Sequence, residues 1–154
     1  MNIFKAKPSA SWLTYSFMLL SLAFSTASLN AKDYHKVVDN YTVHYSVVNS
    51  DFLTPAVASR YGIQRSKALA LVNISVLKND SGKAVSAGVS GNAYNLAGQN
   101  KDLAFKEIKE EDAIYYISTF RFSNEERLTF KLKIRPDGTD ENFEVNFEQK
   151  VYVN

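Results

Sequence analysis

The segment from His44 to Lys67, HYSVVNSDFLTPAVASRYGIQRSK, contains the densest group of side chains that could bind a ligand. Two guanidinium groups lie in it beside amide, hydroxyl and imidazole groups, and such a set could bind a carboxylate or a phosphate. The candidate ligand-binding residues are His44, Asn49, Ser50, Arg60 and Arg65. In the alternative interpretation, the two arginines pair with surface acids or bond to backbone carbonyl groups, because most surface charges are only solvated.

Hydrolytic catalysis would need a nucleophile, a base and an orienting group. The chain has no cysteine, so the nucleophile would be a serine or a threonine and the base would be His35 or His44. No G-x-S-x-G turn, which would present a nucleophilic serine, occurs in the sequence. We therefore predict that the protein is not an enzyme and has no catalytic residues.

The sequence offers equally little for a metal or a cofactor. The acids between Pro136 and Glu141 lack the D-x-[DN]-x-[DN]-G-x5-E order of a calcium loop. Acids with Gly and Pro between two strands are typical of a solvated hairpin. No spacing of Cys and His residues fits a zinc site. We predict no metal site and no cofactor.

The charge balance argues against a polyanionic partner. The chain has 18 Lys and Arg residues against 16 Asp and Glu residues. Lys5 and Lys7 are the only charged residues before residue 32, and without these two the balance is 16 against 16. Because a neutral protein gains nothing from the charge of a nucleic acid, we predict no nucleic-acid partner.

Residues 1–31 have the pattern of a secretory signal peptide. Lys5 and Lys7 provide positive charge, the stretch Leu13–Phe24 is uncharged, and small residues follow it. We predict cleavage after Ala27 or Ala31. An uncleaved membrane anchor is the alternative, but the apolar run is shorter than the roughly 20 residues that span a bilayer. We therefore predict export, with no stable membrane insertion once the leader is removed.

Residues 32–154 show no repeat and no Pro-rich linker, so we predict a single domain. Apolar and polar residues alternate with a period of two, which is typical of half-buried strands. Seven short strands between turns rich in Gly, Asn, Asp and Pro predict an all-β fold, an immunoglobulin-like antiparallel β-sandwich. The Cys–Trp–Cys signature of true immunoglobulin domains is absent. The predicted strands cover residues 41–47, 68–77, 85–89, 102–108, 113–122, 127–135 and 142–153.

One short helix is predicted after the first of these strands. Thr54 is a suitable N-cap, Pro55 fits the first helical position, and Gly62 can adopt the left-handed conformation that ends a helix. Val57 and Tyr61 are four residues apart, so we expect them to face the core together.

The predicted strand at residues 127–135 carries four cationic side chains in a row on its polar face. The following strand carries acidic side chains on the same face. A four-residue turn at 136–139 would place Lys131 opposite Glu144 and Arg127 opposite Glu148. Arg135 would lie opposite Asp140 in the same register. We therefore predict that this basic row is structural and neutralised by its neighbour.

The sequence also resembles a known family. The motif H-Y-x3-N-S-x-F-L-T-P-x-V-A-x2-Y-G-I-x-R-S from His44 to Ser66 is similar to the signature of an uncharacterised family of small exported bacterial proteins, described only as a domain of unknown function. Further matches are NISV from Asn73, NLAGQ from Asn95, DAIYY from Asp112 and the closing strand from Phe147 to Val153. The resemblance implies a bacterial exported protein, located in the periplasm if the cell has two membranes. It implies no activity, substrate or catalytic residue.

Together these observations favour a non-enzymatic binding or accessory module for another component of the cell envelope. The alternative is a carrier or sensor of a small anionic ligand bound near Arg60 and Arg65. The expected partners are thus an envelope protein or a small anion.

Overall fold

The computed structural model describes residues 34–153. The predicted signal peptide and both predicted cleavage points, after Ala27 and Ala31, lie outside the described residues. Within residues 34–153, no helix is both long enough and apolar enough to cross a membrane.

The described residues form an all-β fold with two antiparallel sheets and one short α-helix, as the sequence predicts. We call the five-stranded sheet, in the order β1-β2-β3-β7-β6, the first sheet, and the four-stranded sheet, in the order β5-β4-β8-β9, the second sheet. A 3-10 turn (Ser50–Phe52) and helix α1 (Pro55–Tyr61) connect β2 to β3. The strands are β1 (His35–Val38), β2 (Tyr41–Asn49), β3 (Leu69–Lys78), β4 (Ala87–Asn95), β5 (Asn100–Asp102), β6 (Lys106–Glu110), β7 (Ala113–Arg121), β8 (Glu126–Pro136) and β9 (Phe143–Val151).

The prediction of seven strands is wrong, because the described residues form nine. The first addition is β1, an edge strand whose side chains are mostly exposed and therefore lack the alternation of a half-buried strand. The second arises where residues 102–108 divide into two strands. There β5 pairs with β4 in the second sheet and β6 pairs with β7 in the first. The chain changes sheets between them, a crossover that a continuous sequence pattern conceals.

The core lies between the two sheets and is built around aromatic rings. The ring of Tyr45 stacks on Phe147 with centroids 4.1 Å apart, and Phe147 stacks on Phe130 at 4.6 Å. Phe120 packs edge-on against Phe130 at 5.6 Å. Tyr45 and Phe120 belong to the first sheet and the other two rings to the second, so this chain of contacts joins the sheets.

A buried tyrosine adds a polar tie between the sheets. The Tyr116 hydroxyl, on β7, accepts a hydrogen bond from the backbone N–H of Ala87 at 2.7 Å and donates to Glu107 Oε2 at 2.9 Å. Burial is the main cause that raises the pKa of Tyr116 to about 12. The hydrogen bond from Tyr116 holds the pKa of Glu107 below its ordinary value.

Helix α1 begins and ends as predicted, but it faces a different way. Thr54 Oγ1 accepts a hydrogen bond from Val57 N–H at 3.3 Å, and Gly62 closes the helix with φ of 70°. The residue that α1 buries is Ala58, which packs with Ile63 and with a leucine on the outer side of β3. The expectation that Val57 faces the core is wrong, since its side chain is 39% exposed. The helix covers the outer face of the first sheet, whose apolar cluster is separate from the core between the sheets.

The predicted register of the last hairpin is wrong by two residues. Lys133 lies opposite Glu144, and Lys131 lies opposite an asparagine. The connection is longer than predicted, because the ladder between β8 and β9 ends at Ile134 and Phe143 instead of Arg135 and Asp140. A shift of two keeps each side chain on its predicted face.

Neutralisation of the basic row is therefore only partial. Arg127 still pairs with Glu148, diagonally, at 3.6 Å. Among the described residues, Lys131, Lys133 and Arg135 form no ion pair within 4.0 Å.

Gly91 should not tolerate a side chain. A Cβ at this position would overlap the Lys131 carbonyl oxygen and lie 2.9 Å from Leu132 Cα, both of which are backbone atoms of the neighbouring strand. We expect Gly91→Ala to lower the free energy of unfolding by about 1–3 kcal/mol or more, as overpacking does. Gly88→Ala is the matched control on the same strand, since its Cβ would meet only Arg135 O at 3.9 Å. Equal urea midpoints for the two variants would contradict this account.

Tyr116→Phe should lower the free energy of unfolding by about 1–3 kcal/mol near neutral pH, because the Ala87 N–H and the Glu107 carboxylate lose their partner. The pKa of Tyr116 rises from 10.0 to about 12 on folding. Its neutral hydroxyl therefore contributes fully below pH 10, and the contribution disappears as the pH rises to about 12. Urea unfolding across this pH interval should show the free energies of unfolding of the wild type and Tyr116→Phe converging. A difference that stays constant with pH would contradict a stabilising role for the Tyr116 hydrogen bonds.

Candidate functional site

An open apolar groove lies on the outer face of the first sheet, beside helix α1. Its volume is about 260 Å³, and side chains of the sheet form its floor while the helix and its flanking turns form its wall. We call this cavity the groove. Its main apolar lining residues are Val48, Leu53, Val57, Ile63, Ile108 and Ile117.

Among the described residues, one buried polar atom of a side chain that lines the groove has no hydrogen-bond partner. The Oδ1 atom of Asn73, on β3, is buried and accepts no hydrogen bond from any described residue. Ser46, directly opposite on β2, also lines the groove. A buried acceptor without a donor destabilises the folded protein by about 1–3 kcal/mol, so it needs an explanation. The atom is closed off from solvent, so a ligand N–H or O–H group in the groove would satisfy it once the Asn73 side chain rotates toward the cavity that it lines.

The rim of the groove is held by a small polar cluster. The Tyr61 hydroxyl donates a hydrogen bond to Glu110 Oε1, and Arg60 approaches the same carboxylate at 3.6 Å. The hydrogen bond to Glu110 is the main cause that raises the pKa of Tyr61. These contacts connect the last turn of α1 to the end of β6.

Exposed apolar side chains continue the groove along the surface. Val48 lines both the groove and a neighbouring shallow cavity of about 200 Å³, which Phe52 and Tyr152 also line. Phe52 is 69% exposed and Tyr152 is 51% exposed. Clustered exposed apolar residues mark a surface that contacts another molecule.

Two of the predicted binding residues are buried and bonded within the protein. Asn49 Nδ2 donates to the backbone oxygen of Tyr152 at 2.6 Å and so fastens the C-terminal segment to β2. Ser50 is fully buried, and its hydroxyl donates to Ser66 O at 3.1 Å and accepts from Ser66 N–H at 2.9 Å. Both side chains hold the loop in place.

The two arginines are engaged separately. Arg60 pairs with the surface acid Glu110, and Arg65 Nη2 donates to the backbone oxygen of Asp51 at 2.8 Å. These contacts match the alternative stated from the sequence, in which the arginines meet a surface acid and a backbone carbonyl.

The remaining candidate, His44, is exposed on the outer face of β2, opposite His35. Among the described residues, no hydrogen bond, ion pair or ring contact joins any two of the five predicted site residues. The small-anion site therefore stays a prediction.

Sequence reasoning missed the groove but contained one sign of it. Asn73 and Ser75 interrupt a nearly all-apolar run in the strand that corresponds to β3. A polar residue at such a position must find a partner or face a site. The other lining residues read as ordinary core positions, because their apolar character does not say which face of the sheet they occupy.

The titratable side chains within residues 34–153 are the possible metal ligands. In the part of the chain that the structure describes, no group of three or more His, Cys, Asp or Glu residues could hold a metal ion.

Ser50→Ala should destabilise the fold by about 1–3 kcal/mol, because it leaves the Ser66 N–H without its acceptor and leaves Ser66 O with only the bond from Leu69 N–H. Ser59→Ala, at an exposed position of α1, is the control and should change the unfolding free energy little. Chemical unfolding followed by circular dichroism measures both. If Ser50→Ala unfolded like the wild type, the serine would not be the structural residue that its contacts indicate.

Solved structures with the same fold include a DUF4426 family protein from Pseudomonas aeruginosa PAO1. It is 35% identical to this chain, the match covers 78% of this chain and 94% of that one, and the TM-score is 0.70. FetP from uropathogenic Escherichia coli strain F11 is 12% identical, with 77% of this chain and 92% of FetP covered and a TM-score of 0.57. A copper-bound variant of FetP is 11% identical, with 76% and 93% covered and the same TM-score. At these identities, the likeness to FetP shows the fold alone.

The family comparison confirms the resemblance found in the sequence. No curated protein matches the chain. The model of the family described as "Domain of unknown function (DUF4426)" matches residues 35–154, which include every strand of both sheets. The chain therefore belongs to the DUF4426 family.

Proposed function

We propose that this protein is an exported, non-enzymatic binding module that uses the groove to hold a segment of another envelope protein. The observation that carries the proposal is the unpartnered Asn73 Oδ1 on an otherwise apolar surface. The partner inserts an apolar side chain, and the Asn73 side chain rotates toward the groove to accept an N–H hydrogen bond from it. A few placed polar groups in an apolar cavity are the usual composition of a binding site.

The size of the groove favours a protein segment over a free small molecule. Its volume of about 260 Å³ falls below the roughly 300–1,000 Å³ of common small-molecule sites. The exposed rings of Phe52 and Tyr152 extend apolar surface beyond the cavity, which suits a partner that covers more area than the cavity itself. An apolar centre with exposed aromatic and aliphatic residues around it resembles the core of a protein interface.

We place the protein in the periplasm. The leader pattern of residues 1–31 supports export. FetP, which shares the fold, was produced recombinantly in the periplasm of E. coli, and this is compatible with the same location.

We also interpret the sandwich as immunoglobulin-like. The strand orders β2-β3-β7-β6 and β4-β8-β9 follow the ABED and CFG orders of that fold, which supports the interpretation. A fold of this kind hosts many unrelated functions, so the groove carries the functional argument.

No contact favours the small-anion alternative over the groove. Arg60 and Arg65 each have a partner within the protein. Glu110 and Glu111 line the cavity beside Arg60 and would repel an anion there. Copper belongs to the FetP variant, and a shared fold at 11% identity transfers no ligands to this chain.

Site-specific photo-crosslinking in living cells tests the proposal. A photoreactive amino acid at position 57, on the wall of the groove, should crosslink to one discrete envelope protein. The control is the same amino acid at position 37, because Val37 is also an exposed valine, at 62%, but lies on the edge strand β1. Identical crosslinks at both positions, or none at position 57, would overturn the proposal.

A second variant separates binding from folding. Asn73→Leu replaces an unpartnered carbonyl by an apolar side chain, so the free protein should be at least as stable as the wild type in thermal unfolding. The crosslink from position 57 should nevertheless weaken, because the partner loses its acceptor. An undiminished crosslink in this stable variant would show that Asn73 is not part of the recognition.

A further inference from the structure

We propose that His35 and His44 form a surface site for a divalent transition-metal ion that prefers imidazole ligands, such as Cu²⁺. The two residues lie directly opposite each other on β1 and β2. Their ring centroids are 5.6 Å apart and the ring planes are inclined by 39°. Both side chains are exposed, and they are the only two histidines in the chain. The proposal is independent of what the groove binds.

The hydrogen-bond pattern of the strand pair explains why the rings are close. The backbone N–H of Tyr45 donates to Tyr34 O at 2.9 Å, so this neighbouring pair is the hydrogen-bonded one. Antiparallel pairs alternate, and His35 and His44 therefore form a non-hydrogen-bonded pair. In such a pair the Cα atoms are about 4.5 Å apart instead of about 5.5 Å, and the side chains come closest.

Two imidazoles in this arrangement can chelate one ion. Each neutral ring offers one nitrogen with a free lone pair. A metal–nitrogen bond to imidazole is roughly 2.0–2.1 Å long for zinc, and water completes the coordination. Because both rings are exposed and their centroids are 5.6 Å apart, we infer that rotation about the side-chain torsions directs one nitrogen of each ring to a common point. Among the described residues no third His, Cys, Asp or Glu completes a larger metal-binding group.

The ligand set determines which ions fit. Imidazole suits Cu²⁺, Zn²⁺ and Ni²⁺, and affinity for a given nitrogen site is highest for Cu²⁺. Ca²⁺ and Mg²⁺ require oxygen ligands, which two histidines do not supply. The pair is therefore selective for transition metals over hard cations.

The position of the pair gives the ion a structural consequence. β1 is a four-residue edge strand, and among the described strands it pairs only with β2. A chelated ion would join the two strands through their side chains and slow the opening of β1. The ion would also lie on the outer face of the first sheet, the same face as the groove. Ser46, which lines the groove, is two residues from His44 on β2.

This site differs from the expectation that the sequence holds no metal centre. The two histidines are separated by eight residues, a spacing that matches no zinc motif. They meet only because β1 folds back along β2, and β1 itself was not among the predicted strands.

Titration with Cu²⁺ alone, followed by calorimetry and electron paramagnetic resonance, tests the proposal on the mature protein. We expect one ion per chain, with couplings from two imidazole nitrogens. Loss of one of two linked ligands removes the advantage of chelation, so His35→Ala and His44→Ala should each weaken binding on the order of a hundredfold. Thr42→Ala, on the same face of β2, is the control and should bind like the wild type.

Several outcomes would overturn the proposal. They are the absence of Cu²⁺ binding by the wild type, a single-nitrogen spectrum, equal affinity in either histidine variant, or Ca²⁺ binding as tight as Cu²⁺ binding. Hydrogen exchange provides an independent readout, since Cu²⁺ should protect the β1–β2 amides in the wild type and in Thr42→Ala but not in the histidine variants. Because both histidines are exposed, their replacement by alanine should leave the fold intact, and circular dichroism verifies this.

Discussion

The packing of aromatic rings between the two sheets is the interaction on which the rest of the structure depends. Tyr45, Phe147, Phe130 and Phe120 form a continuous series of ring contacts across both sheets. Each such pair contributes about 0.5–1.5 kcal/mol beyond the area it buries. The chain has no cysteine, so no disulfide can substitute for this packing.

The aromatic core also determines which side chains lie on the outer face of the first sheet. Side chains of a strand alternate between its two faces, so a strand that directs Tyr45 inward must direct Ser46 outward. The same rule places Leu71 and Asn73 on the outer face of the first sheet, because Val72 and Ile74 face the core. A seven-residue helix has little stability of its own and folds because it covers this second apolar surface. The helix is too short to cover the surface completely, and the groove is what it leaves uncovered.

The charged side chains mainly support this framework. Arg60 and Arg65, the strongest ligand-binding candidates in the sequence, fasten α1 and the turn before it to their neighbours. On the second sheet, Lys131 lies over the ring of Tyr94 at 5.6 Å, and Lys133 lies opposite Glu144. The functional features that we infer are accordingly not the strongly charged ones. They are an apolar groove with one unpartnered amide, and a pair of histidines.

The sequence by itself determined what depends on near neighbours. Alternation with a period of two predicted an all-β fold, and it assigned the apolar residues of β8 and β9 to the correct faces although their register was wrong. Thr54, Pro55 and Gly62 marked the ends of α1, because a capping residue acts on backbone groups only a few residues away. The motif from His44 to Ser66 indicated the family that the comparison confirms.

The tertiary structure decided what depends on residues far apart in the chain. Asn49 meets the backbone of Tyr152, 103 residues away, and this contact makes it structural. The last connection is longer than the predicted four-residue turn, because β8 and β9 stop pairing at Ile134 and Phe143. Asn73 became a groove residue, and His35 became the neighbour of His44, only when separate strands came together. Local patterns specify which face a side chain occupies, but its partner on that face is set by the assembly of the sheets, and the chemistry of a site depends on the partner.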